Sequence, residues 1–150
     1  RSNPAGAAPG VDDMVGFDSL DDVLQYADVI AMSVPSTPAT YHLLNAERIA
    51  SLKPDAIIIN AGRGDAIESQ ALADALAEGR IHGAALDVTE PEPLPADSPL
   101  WCEPKCLITP HVAGGNHLEI TERSIISIAL GNVRCYANGQ SLDNRMPIKS

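Results

Sequence analysis

The chain has 150 residues, 45% of them hydrophobic and 3% aromatic, with a formal net charge of −10. Length and composition suit one globular domain with a buried core, not a disordered chain. The acidity and the scarcity of aromatics argue against a nucleic-acid partner, because phosphates demand basic surface and bases demand stacking platforms.

The opening RSNPAGAAPG reads as a loop, and it lacks the apolar stretch of a secretion signal. MVGF reads as a short edge strand. Ser19-Leu20-Asp21-Asp22 has the form of a capping box, and Leu20, Val23, Leu24 and Ala27 follow at helical spacing. DVIAMSVP, from Asp28 to Pro35, is a continuous apolar run, the pattern of a strand covered on both faces. Pro35 and Pro38 end it in a loop.

Asn45 is placed to cap a short helix through Leu52, which Pro54 stops. AIIIN, from Ala56 to Asn60, is the next buried strand. ESQALADALAEG is helical, with Leu72, Ala75 and Leu76 on one stripe and Gly79 at the left-handed C-terminal position. IHGAALDV, from Ile81 to Val88, is a third strand, and CLITP, from Cys106 to Pro110, a fourth. Between them lies the proline-rich EPEPLPADSP. From Asn116 a long helix carries Ile120, Ile125, Ile128, Ala129, Val133, Tyr136 and Ala137 at helical spacing, ending at Asn138-Gly139.

No apolar run reaches membrane-spanning length, so no membrane partner is expected. Three cysteines, Cys102, Cys106 and Cys135, read as reduced thiols of a cytoplasmic protein. CEPKC has a tolerable ligand spacing, but no second pair follows and the histidines show no ligand pattern, so no metal is expected.

Apolar strands alternating with helices imply an α/β fold with a doubly wound parallel sheet of the Rossmann type. Right-handed crossovers bring all the strand C-termini to one edge, where ligands of such folds bind. Pro35, Asn60 to Gly64, Asp87 to Glu92, and His111 therefore share a rim. Arg63 offers a guanidinium that can hold a carboxylate through two hydrogen bonds, and Gly62 and Gly64 remove side chains that would block a ligand. His111 offers a proton that moves near neutral pH, as an alcohol–ketone interconversion requires. Glu92, stiffened by neighbouring prolines, offers a carboxylate able to stabilise an imidazolium. Asp87 can accept from a ligand amide. Each also has an ordinary structural role open to it: a solvated turn, a core histidine, an acidic loop, a strand stop.

The stretches ADVIAMSVPSTPATYHLLN, LKPDAIIINAGRGDAIESQALADALAEGRIHGAALDVTEPEPLP, SPLW and LITPHVAGG, spanning roughly Phe17 to Val133, resemble the D-isomer-specific 2-hydroxyacid dehydrogenases. DVTEPEPLP looks most like the glyoxylate/hydroxypyruvate reductase branch. The resemblance implies an oxidoreductase moving a hydride between NAD(P)H and a small 2-keto or D-2-hydroxy acid. It implies Arg63, Glu92 and His111 as catalytic: Arg63 on the substrate carboxylate, His111 as acid/base, Glu92 as its partner. It implies cofactor contacts at Val34, Pro35, Thr40, Ala61, Gly62, Arg63, Asp87, His111 and Gly114, with Asp87 on the carboxamide. A homodimer is expected on the same ground. A dinucleotide-sensing corepressor is the alternative, and a formate dehydrogenase is disfavoured because that branch lacks the glutamate matched by Glu92.

No G-x-G-x-x-G occurs. The family places that loop and the first strands upstream of the residues seen here. The expectation is therefore a Rossmann-type domain missing its first strands and glycine-rich loop. Residues 1–137 are its C-terminal portion, including the long final helix, and 138–150 are a tail toward the substrate domain. Such a chain alone is expected to expose VIAMSV as an unpaired edge, to aggregate and to be inactive. Arg1 and Ser2 fall near the site that discriminates cofactors, and the arginine points to NADP over NAD.

Overall fold

The computed structural model describes residues 10–115 and 118–144. The chain divides at His111 into two compact units, residues 1–111 and 112–150.

The first unit is built on four parallel strands in the order β1-β2-β3-β4: Val29–Met32, Ile57–Asn60, Gly83–Leu86 and Cys106–Ile108. Helix α1 (Leu20–Leu24) precedes β1, α2 (Ala46–Ala50) lies between β1 and β2, and α3 (Ser69–Ala77) lies between β2 and β3. The α/β parallel sheet expected from the alternating runs is thus present.

Register explains the core. Ile30, Ile58, Ala84 and Cys106 are aligned across the sheet, and so are Met32, Asn60, Leu86 and Ile108. Side chains two apart on a strand share a face, so both rows point the same way. Met32, Ile58, Asn60, Ala84 and Leu86 on that face are buried. The cluster joins them to Ile49 of α2 and to Leu72, Ala75 and Leu76 of α3. Each fully buried leucine or isoleucine contributes on the order of 2 kcal/mol.

The opposite face carries Ala31, Ile59, Ala85 and Leu107 in one row. Ile59 is 38% exposed and Leu107 is 64% exposed. Within the described residues of this unit, cover lies on one face. Among the described residues β1 pairs with β2 alone and forms an edge, with Val29 53% exposed.

Local signals were honoured unevenly. Asn45 caps α2 by accepting from the Arg48 N–H at 3.0 Å. Gly79 takes φ +67° after α3, and the N–H groups of Gly79 and Arg80 bond back to Leu76 and Ala75 at 3.0 and 2.8 Å. A left-handed residue there closes the orphan carbonyls of the last turn. The capping box at Ser19 does not form. Its N–H already bonds Gly16 O at 3.2 Å, and its φ of −110° and ψ of 15° lie outside the extended region a capping hydroxyl needs. MVGF is not a strand: Phe17 opens a 3-10 turn through Ser19 instead.

In the second unit, α4 spans Glu119–Ala137. Asn116, the expected start, lies outside the described residues. The apolar positions of α4, Ile120 and Tyr136 among them, are exposed.

Candidate active site

Because all four strands run parallel, their C-terminal ends meet along one rim. Three loops of the first unit converge there.

The first loop follows β2. Asn60 is buried, and its side chain organises the turn: Oδ1 accepts from the Gly62 N–H at 3.0 Å, and Nδ2 donates to Arg63 O at 2.9 Å. A buried amide can be accommodated because both of its ends are satisfied. The Ala61 N–H bonds Met32 O at 3.1 Å, tying the turn to the end of β1.

The two glycines are sites of close backbone approach. A Cβ on Gly62 would lie 2.7 Å from Val34 N and 2.9 Å from Val34 O. A Cβ on Gly64 would lie 1.9 Å from Thr89 O and 2.2 Å from Thr89 C. Both therefore admit neighbouring protein backbone. Gly62 lets the turn press on the end of β1, and Gly64 lets it press on the loop after β3. Arg63, between them, is exposed. Its Nη1 donates to Gly62 O at 2.8 Å, and among the described residues it has no carboxylate partner.

The second loop follows β3. The Asp87 N–H bonds Asn60 O at 2.9 Å, and Asp87 Oδ1 accepts from the Thr109 hydroxyl at 2.5 Å. The loop then passes through two cis peptides, Glu90-Pro91 and Glu92-Pro93.

The third loop follows β4. The Thr109 N–H bonds Leu86 O at 2.9 Å, and His111 adopts φ +53°, a left-handed conformation that a non-glycine residue holds at some strain. His111 Nδ1 lies 2.6 Å from Glu92 Oε1. An ionised carboxylate has no proton to give, so the hydrogen sits on Nδ1 and is donated to Glu92.

This pair borders a cavity of about 240 Å³ lined also by Asp87, Leu94, Trp101 and Thr109. Leu94 and Trp101 supply apolar wall, and the Trp101 indole N–H is held by Pro95 O at 2.8 Å. An acceptor carboxylate and an imidazole facing one partly apolar pocket fit the carboxamide end of a nicotinamide ring. Arg63 does not line the cavity; it stands beside it on the same rim, joined to the Glu92 loop through the Gly64–Thr89 contact.

Of the remaining expected contacts, Val34 is half-buried and Pro35 and Ala61 are exposed on the rim. Thr40 is 3% exposed, and its hydroxyl donates to Pro35 O at 2.6 Å and accepts from the Thr37 N–H at 2.9 Å, which folds the loop. Gly114, at φ +70°, is exposed and belongs to the second unit. Arg1 and Ser2 lie outside the described residues. Thr109 was not singled out by the sequence, Asn60 was placed on the rim without a role, and Trp101 entered only as part of SPLW.

No group of three metal-ligating side chains occurs among the described residues. Burial, helped by Glu103, pushes the Cys106 thiol up to about 11, so it stays protonated at neutral pH. No helix among the described residues is long and apolar enough to cross a membrane.

Residues 4–113 match the family model of the D-isomer specific 2-hydroxyacid dehydrogenase, NAD binding domain. Glyoxylate/hydroxypyruvate reductase B of Escherichia fergusonii is 48% identical over 98 residues, covering 65% of this chain and 30% of that protein. The D-isomer specific 2-hydroxyacid dehydrogenase from Xanthobacter autotrophicus Py2, solved with NADPH and MES, superposes with a TM-score of 0.86 at 36% identity, covering 97% of this chain and 59% of that one. D-lactate dehydrogenase from Lactobacillus jensenii, solved with NAD+, gives a TM-score of 0.79 at 29% identity, covering 97% of this chain and 47% of that one. The chain thus spans less than two thirds of each of these proteins.

Proposed function

The chain belongs to the D-isomer-specific 2-hydroxyacid dehydrogenase family, and from that premise we propose that it carries the acid/base half of an NAD(P)-dependent reductase of small 2-keto acids. The observation that carries this reading is the 2.6 Å contact between His111 Nδ1 and Glu92 Oε1 at the mouth of a cavity, made by residues on different loops.

A nicotinamide dinucleotide, when bound, supplies or takes up the hydride. Everything else falls to the protein. Asp87 accepts from the carboxamide and fixes which ring face meets the substrate. Arg63, with no carboxylate of its own among the described residues, grips the substrate carboxylate and faces the charge that develops on the keto oxygen. His111 Nε2 delivers the proton to that oxygen, and Glu92 holds the ring in orientation and stabilises its charged form. In the oxidative direction the same nitrogen takes the hydroxyl proton.

The sequence around DVTEPEPLP favours glyoxylate and hydroxypyruvate as substrates. The leading arginine favours NADP over NAD. The test is steady-state reduction of both acids, with NADPH and with NADH, by the protein carrying this chain. Arg63→Ala is expected to raise the keto-acid KM and lower kcat while dinucleotide affinity holds. Dinucleotide binding without turnover of either acid would replace the reductase with a nicotinamide sensor.

A further inference from the structure

The segment after the Thr40 loop bonds to both loops that carry the proposed catalytic groups. His42 is at its centre. Its backbone is left-handed at φ +45°, and its N–H bonds Asp65 O at 2.7 Å, two residues beyond Arg63. Its Nε2 lies 2.7 Å from Glu90 Oε2, two residues before Glu92. Tyr41 stacks on the ring with centroids 4.0 Å apart and an interplanar angle of 16°. One residue thus touches, through its two ends, both the turn of Arg63 and the loop of Glu92.

Neighbouring bonds show that the crossing is a built joint. The Leu44 N–H bonds Ala66 O at 3.0 Å, and the Glu68 N–H returns to Leu44 O at 3.0 Å. The Ser69 hydroxyl donates to Glu90 O at 2.7 Å, so Glu90 is gripped by main chain and side chain alike. The His42–Glu90 pair is partly shielded, with side chains 28% and 30% exposed, so the contact is weakened less by water than a free surface pair. Ser36 and Asp65 bond on the same side, which fixes the far end of the Arg63 turn.

We propose that His42, through Glu90 and Asp65, is a positioning residue that sets the spacing between Arg63 and Glu92 and thereby the seat of His111. This rests on the acid/base reading above, since it assigns His42 no contact with substrate. Glu92 sits two residues from the His42 clasp; when the clasp is cut, Glu90 keeps only its main-chain hold from Ser69, the Glu92 segment shifts, and His111 loses the acceptor that holds its Nδ1 proton. A displacement of about 1 Å at reacting groups costs on the order of a hundredfold in rate.

The experiment uses the protein carrying this chain and three variants: His42→Ala, His42→Gln and Glu90→Ala. The first readout is the tautomer of neutral His111, seen by long-range proton–nitrogen NMR correlation. The wild type is expected to hold the proton on Nδ1, and His42→Ala to shift it toward Nε2. His42→Gln, which keeps a donor near the same place, restores Nδ1. The second readout is kinetic: in His42→Ala the keto-acid KM rises and kcat falls roughly tenfold to a hundredfold, with the dinucleotide KM unchanged. A loss of folded protein would lower kcat without moving KM. Should His42→Ala fail to fold, Glu90→Ala cuts the same contact from the other side. A folded variant with the His111 tautomer and the keto-acid KM of the wild type overturns the assignment. Absence of turnover in the wild type sinks the reductase reading instead, and the tautomer still decides the role of His42.

Discussion

Replacing Gly64 with alanine puts a methyl carbon 1.9 Å from Thr89 O, 2.2 Å from Thr89 C and 2.9 Å from Glu90 N. All three atoms are backbone, so no rotamer change relieves the clash. To restore 3.4 Å of ordinary contact from 1.9 Å, the Thr89–Glu90 backbone or the Arg63 turn must retreat by about 1.5 Å. Overpacking of this kind costs about 1–3 kcal/mol. For a chain of this size each kcal/mol lowers the melting temperature by roughly 2–4 °C. The retreat separates Arg63 from Glu92, and a misplacement near 1 Å costs about a hundredfold in turnover. Thermal melting by circular dichroism and hydroxypyruvate reduction measure the two effects together. Gly79→Ala is the control: it has φ +67° but nothing within 4 Å of a new Cβ, so it loses about 1 kcal/mol of backbone energy and leaves turnover intact. A Gly64→Ala protein that melts and turns over like the wild type would show that the two loops are not packed as described.

Thr40→Val removes a hydroxyl that serves both Pro35 O and the Thr37 N–H in a buried site, and should destabilise the chain by roughly 1–3 kcal/mol without weakening dinucleotide affinity by a direct contact. Urea unfolding with calorimetric binding reads both, and unchanged stability with weakened binding would place Thr40 in the cofactor site. Cys106 predicts an alkaline effect. Its thiol is raised from 9.0 to about 11 in the folded chain, so across that window the unfolded chain releases a proton that the folded one keeps. Stability is expected to fall with rising pH there, and Cys106→Ala to flatten the fall; parallel pH profiles for the two proteins would contradict the burial of that thiol.

Much of the fold was legible because the four strands are short apolar runs punctuated by proline and glycine, and because Asn45 and Gly79 sit where helix ends want them. Burial was less legible. A run such as VIAM is apolar whether one face or two are covered, and which face is covered depends on elements distant in sequence. Ser19 shows the limit of local signals: the spacing of a capping box was right, but a 3-10 turn had already claimed its N–H. At the site, Glu92 and His111 were found through motif resemblance, and the structure supplies their 2.6 Å contact. The glycines flanking Arg63 were correctly seen as sites of close approach, yet what approaches is Val34 and Thr89 backbone, which no motif could show. His42 and Glu90 are 48 residues apart, and nothing in their local sequence marks them as partners.

Proton delivery by His111 is tested most directly by His111→Gln in the protein carrying this chain, with keto-acid reduction and dinucleotide affinity measured on the same preparation. A glutamine fills similar space but cannot pass the proton, so kcat should fall by about 10²–10⁴ while the dinucleotide binds as before. Turnover within a few-fold of the wild type would mean that the imidazole beside Glu92 is not the acid/base group.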